Sequence, residues 1–168
     1  MRTGTILDKI LEFKRIEVEK RKKETPISEL DMKVRDQPYP LNFSGALWGE
    51  KVRLIAEVKK ASPSAGVIRA DFDPVDIANQ YESAGASCLS VLTDEKFFQG
   101  SPDYLKAIRD AVALPLLRKD FVVDSRQIAE AIDWGADAIL LIAAILNDDQ
   151  LSGFHHLASE AGLSVLVE

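Results

Sequence analysis

At 168 residues, with 46% hydrophobic and 29% charged side chains, the chain has the length and composition of one soluble domain with a real core, which excludes a disordered polypeptide. A net charge of −6 lacks the concentrated positive surface that phosphates require, so nucleic acid is not an expected partner. The longest apolar run, Ala138 to Leu146, is too short to span a bilayer, and Asp8 and Lys9 stand where a signal sequence would be apolar, so a cytoplasmic chain with no membrane partner is expected.

In chain order, the spacing of Ile6, Leu7, Ile10, Leu11, Phe13 and Val18 predicts an amphipathic helix from Thr5 to about Lys23. Its basic end, Lys20-Arg21-Lys22-Lys23, is offset by Glu17, Glu19 and Glu24 and reads as a solvated face. Thr25-Pro26 stops this helix, and Ile27 to about Val34 predicts a second, shorter one. A proline-rich connection follows from Asp36 to Pro40. Residues 1–45 therefore form a helical extension, and residues 46–168 a separate repeating unit.

That unit runs apolar strand, polar loop, capped helix, glycine, next strand. Helices are expected to open at Asp73-Pro74, at Ser101-Pro102, near Asp124-Ser125 and near Asn147-Asp148. Three helix ends, Ala84-Gly85-Ala86, Trp134-Gly135-Ala136 and Ala161-Gly162-Leu163, place a glycine where a left-handed residue closes the helix. The predicted strands are Val52–Val58, Cys88–Leu92, Leu114–Lys119, Ala138–Ile142 and Ser164–Glu168. Rich in Val, Ile and Leu, they suit a parallel sheet covered on both faces. Serial βα units fit either a barrel or a doubly wound sheet. Neither G-x-G-x-x-G nor G-x-x-x-x-G-K-[ST] follows a strand, which disfavours dinucleotide and P-loop sites. Cys88 lies in an apolar strand and is expected to be a core thiol.

The candidate chemistry lies at the carboxyl ends of strands. Glu57 and Lys59 share one face of the first strand, Lys119 ends the third with Arg118 turned the opposite way, and Glu168 ends the fifth. In a barrel these faces converge, bringing two lysines and two carboxylates together for acid–base work. A lysine there is equally suited to a Schiff base, so an aldolase-like phosphosugar enzyme is an alternative. An ordinary edge-strand ion pair is the plain alternative for Glu57 and Lys59. Phe98 and Phe121, in the loops after the second and third strands, are candidate walls of an aromatic pocket. No metal constellation is evident: His155 and His156 are consecutive and diverge by about 100° on a helix.

Four stretches together resemble the amino-terminal part of the indole-3-glycerol-phosphate synthase family. They are Ile55-Ala56-Glu57-Val58-Lys59-Lys60-Ala61-Ser62-Pro63-Ser64, then Gly66-Val67-Ile68-Arg69 with Asp71-Phe72-Asp73-Pro74, then Ser90 to Ser101, and Leu117-Arg118-Lys119-Asp120-Phe121. The resemblance implies an α/β fold of the TIM (β/α)8-barrel family, here an incomplete barrel of about five βα units behind an amino-terminal helical extension. It implies a carboxy-lyase of tryptophan biosynthesis acting on a phosphorylated small molecule, 1-(2-carboxyphenylamino)-1-deoxyribulose 5-phosphate, with no cofactor and no metal. It further implies Lys119 as general acid, Glu168 as a proton-transfer partner, and Glu57 and Lys59 as groups that position the substrate and share proton transfers. Ser62, Pro63 and Ser64 match the adjoining substrate loop, and Phe98 and Phe121 match aromatic walls. Ala65 stands where many members carry lysine.

The resemblance also implies three further strands, with the phosphate site near the last two. Five strands leave unpaired edges. The expectation is therefore a truncated chain of low or no activity. The alternative is a non-catalytic partial barrel that associates with itself or with a complementary fragment.

Overall fold

The computed structural model describes residues 4–168. Its first helix, α1 (Ile6–Glu24), is capped by Thr5, whose side chain accepts from the Leu7 N–H. It buries Ile10, Leu11, Lys14 and Val18. Helix α2 (Ile27–Arg35) then packs across a later barrel helix, and α3 (Phe43–Ala46) is a single turn capped by Asn42.

Strand β1 (Ile55–Val58) opens the sheet. A two-rung antiparallel hairpin follows, formed by β2 (Ala61–Ser62) and β3 (Gly66–Val67). Then come α4 (Pro74–Ser83), β4 (Cys88–Leu92), the short α5 (Glu95–Phe98), α6 (Pro102–Ala111), β5 (Leu116–Lys119), α7 (Arg126–Asp133), β6 (Ala138–Leu141), α8 (Asp148–Glu160) and β7 (Ser164–Val167). The five parallel strands follow the order β1-β4-β5-β6-β7, so each new strand adds beside the last. Within the described residues β1 and β7 are each paired on one side only, and β7 leaves Leu166 and Val167 exposed.

Register explains how one face collects the polar groups. Glu57 pairs with Ser90, Ser90 with Leu117, Leu117 with Ala138 and Ala138 with Ser164. Because strand side chains alternate, all five share a face, and Lys119, two residues beyond Leu117, shares it too. Part of it is apolar: Cys88, Leu117, Ala138 and Leu140 pack against Phe43 of α3. Burial pushes the Cys88 thiol up to about 11, with the Asp137 charge adding to the shift, so this sulfur is an inert packing group. The opposite face of the sheet, including Val58, Leu89, Val91, Leu116, Ile139 and Leu141, forms the main core with α4, α6, α7 and α8.

The helix starts follow their capping chemistry. Asp73 and Ser101 each cap a helix with proline at its start, and Asn147 forms a capping box with Gln150. Gly85, Gly135 and Gly162 adopt φ of 91°, 88° and 83° as the chain leaves α4, α7 and α8. At Gly135 the conformation is reinforced by space, since a Cβ would lie 2.7 Å from Arg109 Cγ. Gly135→Ala should therefore lower stability by about 1–2 kcal/mol from the left-handed backbone, with displacement of Arg109 adding to it. A urea titration checks this, and an unchanged midpoint would contradict it.

Several local expectations are corrected. Strand β1 begins at Ile55 rather than Val52, which is fully exposed. Strand β5 begins at Leu116 because Pro115 has no N–H for the ladder. The segment after β4 is not all loop: Asp94 caps α5, and Gln99, at φ 49°, ends it. The turn-rich segment after β1 contains the β2–β3 hairpin. Finally, the basic end of α1 is not simply solvated. Arg21 pairs with Glu17 and with Glu130 of α7 and lies over Trp134, while Lys22 pairs with Asp124 at 2.7 Å.

Candidate active site

A cavity of about 450 Å³ lies at the carboxyl ends of the parallel strands. Glu57, Lys59, Lys119 and Glu168 all line it, together with Phe98 and Phe121. Strand β1 supplies Glu57, and Lys59 follows directly after β1. Lys119 is the last residue of β5, and Glu168 follows β7. The backbone of Glu168 is held on both sides, its N–H donating to Leu141 and its carbonyl accepting from Ala143.

The four charges form two pairs. Lys59 Nζ lies 2.9 Å from Glu57 Oε1, and the Ser90 hydroxyl donates to Glu57 Oε2 at 3.1 Å. Lys119 Nζ lies 3.4 Å from Glu168 Oε2. All four side chains retain solvent contact, so each pair is worth about 0–1 kcal/mol, little enough for a ligand's own charges to displace a partner. Phe98 and Phe121 are inclined at 39° with centroids 6.0 Å apart. Leu7 of α1 and Leu92, Leu140 and Ile142 of the barrel supply apolar wall. An aromatic, anionic small molecule suits this mixture of ring faces and ammonium groups.

Ser62, Pro63 and Ser64 lie in the β2–β3 hairpin, outside the wall of this cavity. Ser62 Oγ and Ser64 Oγ are 3.3 Å apart, and Ser62 also accepts from the Ala65 N–H at 3.1 Å. A larger groove of about 720 Å³ lies between α2, α7 and α8, where Ile27, Val34, Ile128 and Ile132 make it mainly apolar. Its distance from the strand ends, where barrels place their chemistry, makes the smaller cavity the candidate site. Among the described residues there is no group of three or more His, Cys, Asp or Glu side chains suited to a metal, and no helix long and apolar enough to cross a membrane.

The profile of the family described as indole-3-glycerol phosphate synthase matches residues 7–168. The chain belongs to that family. Curated proteins named indole-3-glycerol phosphate synthase are 53% identical over 165 residues in Rhodopirellula baltica, 58% over 167 in Chlorobium luteolum and 51% over 168 in Neisseria meningitidis serogroup C. These alignments cover 97–98% of this chain and 63–64% of the relatives, so the chain spans a little under two thirds of the relatives' length. Among solved structures, a mandelate oxidase variant with (S)-mandelic acid superposes with a TM-score of 0.54 at 16% identity, over 69% of this chain and 42% of that one. A second complex of that variant, with benzaldehyde, gives 0.53 at 16% identity over 70% and 42%. At that identity the likeness is one of fold.

This indole-3-glycerol phosphate synthase family chain also holds a buried polar network beneath the cavity that the sequence reading missed. Lys14, only 1% exposed, reaches from α1 to Asp94 Oδ2 and Asp120 Oδ1, both at 2.9 Å, and to Glu17 at 3.0 Å. Asp120 accepts from Thr93 at 2.6 Å and Arg118 at 3.1 Å through its other oxygen. Arg118 is fully buried, donates to the Gln127 carbonyl at 2.7 Å and stacks on Trp134. Its orientation away from Lys119 follows from strand alternation; its partners do not.

Burial alone would lower the Lys14 pKa, but the charges of Asp120, Asp94 and Glu17 outweigh it and hold the ammonium above the usual lysine range. For Asp120 burial opposes ionisation, yet Lys14 and Arg118, with the Thr93 hydrogen bond, hold its carboxyl well below the usual carboxylate range. Burial pulls the Arg118 guanidinium below its usual value against the charges of Asp120 and Glu130. One signal was present in the sequence: Lys14 falls midway between Ile10 and Val18, four residues from each, on an otherwise apolar helix stripe.

Proposed function

We propose that this chain carries the acid–base half of an indole-3-glycerol phosphate synthase site. The observation that carries the reading is the meeting of Lys119 with Glu168, from two non-adjacent strands, in one cavity with Glu57, Lys59 and two phenylalanines. The substrate is 1-(2-carboxyphenylamino)-1-deoxyribulose 5-phosphate. A ring carbon attacks the ribulose carbonyl carbon, and Lys119 delivers a proton to the carbonyl oxygen as the new carbon–carbon bond forms. Carbon dioxide leaves from the ring carbon that made the new bond, restoring the aromatic ring. The hydroxyl on the former carbonyl carbon then leaves as water as Glu168 moves a proton from the neighbouring carbon, which completes the indole.

Lys59 is the cation for the substrate carboxylate, Glu57, steadied by Ser90, orients it, and the two share in the proton transfers of the reaction. Phe98 and Phe121 hold the aromatic ring. Ser62, Pro63 and Ser64, on the hairpin beside the cavity rather than in its wall, belong to the substrate loop on the family pattern alone. An amine with a carboxylate partner 3.4 Å away is set up to pass a proton, which favours this reading over a Schiff-base lysine. A buried free thiol at Cys88 suits a reducing cytoplasm as the setting.

Incubating the chain with this substrate and following both binding and indole fluorescence tests the reading: binding is expected, with product formed far more slowly than by a completed barrel. Absence of both product and substrate binding would overturn it. A second reading, association with itself or a complementary fragment, draws support from the single-sided pairing of β1 and β7. Sedimentation giving only monomer across the micromolar range would count against it.

A further inference from the structure

Lys14 does not line the cavity, yet its ammonium joins the two loops that carry the aromatic walls. On one side Asp94 Oδ1 accepts the Phe97 N–H at 2.8 Å and so starts α5, whose last residue is Phe98. On the other, Asp120 Oδ1 accepts the Phe121 N–H at 2.8 Å, and Asp120 stands between Lys119 and Phe121 in the chain. The remaining oxygen of Asp94 and the same Oδ1 of Asp120 each lie 2.9 Å from Lys14 Nζ.

An ammonium has three donors, and here they meet three carboxylates: Glu17 on its own helix, Asp94 after β4 and Asp120 after β5. Every donor is committed, which leaves the cation no alternative arrangement. A buried charge adds little net stability compared with an apolar residue of similar volume, so stability alone gives no reason for a lysine here. Placement gives one. The same helix carries Leu7 into the cavity wall two turns earlier.

We propose that Lys14 is a positioning residue whose ammonium sets the separation of the Phe98 and Phe121 loops, and hence the spacing and tilt of the two rings that form the aromatic wall, while locking α1 and the Lys119 strand end to the same point. This rests on the reading of the cavity as the site for an N-substituted 2-aminobenzoate. Misplacement on the scale of 1 Å disrupts such a wall, as it does a reacting pair.

The test uses the whole chain and the fluorescent probe 2-(methylamino)benzoate. Lys14→Met should weaken probe binding by about tenfold, the scale of a lost aromatic arrangement. It should also release hydrogen-exchange protection at the Phe97 and Phe121 amides together. Lys14→Arg should restore most of both, and Lys22→Met, which removes a different α1 cation, should change neither. A folded Lys14→Met protein with unchanged binding and unchanged exchange overturns the proposal, as does a folded Lys14→Arg protein as impaired as Lys14→Met. If Lys14→Met does not fold, Asp94→Asn decides: it keeps an acceptor for Phe97 but breaks one ion pair. Weaker binding with faster Phe97 exchange supports the clamp, and wild-type behaviour in both overturns it. If the probe binds no protein, including the unaltered chain, the reading of the cavity as an aromatic site fails on its own. The coupled exchange of Phe97 and Phe121 then still decides whether Lys14 joins the two loops.

Discussion

Asp120→Ala should cost about 3–5 kcal/mol, the usual penalty for stranding buried partner charges. Against a typical total stability of about 5–15 kcal/mol, a loss of that size removes a large share and lowers the denaturation midpoint clearly. Asp120 is 2% exposed and takes hydrogen bonds or ion pairs from Lys14, Thr93, Arg118 and the Phe121 N–H. Removing its carboxylate leaves Lys14 with two of its three carboxylates and Arg118 with only the longer 3.8 Å carboxylate contact to Glu130, beside an unfilled space. Denaturant melts of the purified variant measure the loss, and a midpoint close to that of the unaltered chain would reject this account of the network.

The pH dependence has a definite sign. The folded pKa of Asp120 is depressed, so its contribution is complete above the unfolded value of about 3.9 and fades only as pH falls through the lower folded value. The stability gap between the unaltered chain and Asp120→Asn should therefore be the same at pH 7 and at about pH 5, with other carboxylates cancelling in the difference. A gap that disappears within that interval would mean that the carboxylate is not held by Lys14 and Arg118.

Lys119→Met should slow the proposed ring closure by about 10²–10⁴-fold, the range for a positioned general acid. Stability should hardly change. The Lys119 side chain is 29% exposed and its partner Glu168 64%, so the lost ion pair is worth at most about 1 kcal/mol. The separation of the two effects is the informative part: a rate collapse in a protein with an unchanged melt assigns the lysine to chemistry. Steady-state indole fluorescence gives the rate, and an unaltered rate would remove Lys119 from the reaction. The contrast with Asp120, its immediate neighbour, is physical. One side chain keeps solvent contact, where a charge is inexpensive to hold; the other is buried, where it must be matched.

The repeating units were legible because they depend on local chemistry. Capping residues, two of them followed by proline, and glycine after three of the helices require no distant partner to act, and the structure has Asp73, Ser101, Asn147, Gly85, Gly135 and Gly162 in those roles. Period-two alternation likewise placed Glu57 with Lys59 and turned Arg118 from Lys119. Where neighbours intervene, the local reading was less exact. The stretch from Val52 to Leu54 has strand-like residues but lies outside the ladder, and a four-residue helix at Glu95–Phe98 depends on one aspartate cap and a left-handed glutamine.

By itself, then, the sequence determined the βα rhythm, the family, and which residues stand at the carboxyl ends of strands, because caps, turns and alternation act within a few residues. Only the tertiary structure decided that Lys119 meets Glu168 across 49 positions of chain. It likewise decided that Phe43 packs against the strands and that Lys14 pairs with Asp94 and Asp120 under the cavity. Those contacts depend on strand order, register and the docking of α1. Charges that look independent along the chain are forced to choose partners once burial removes water as the alternative.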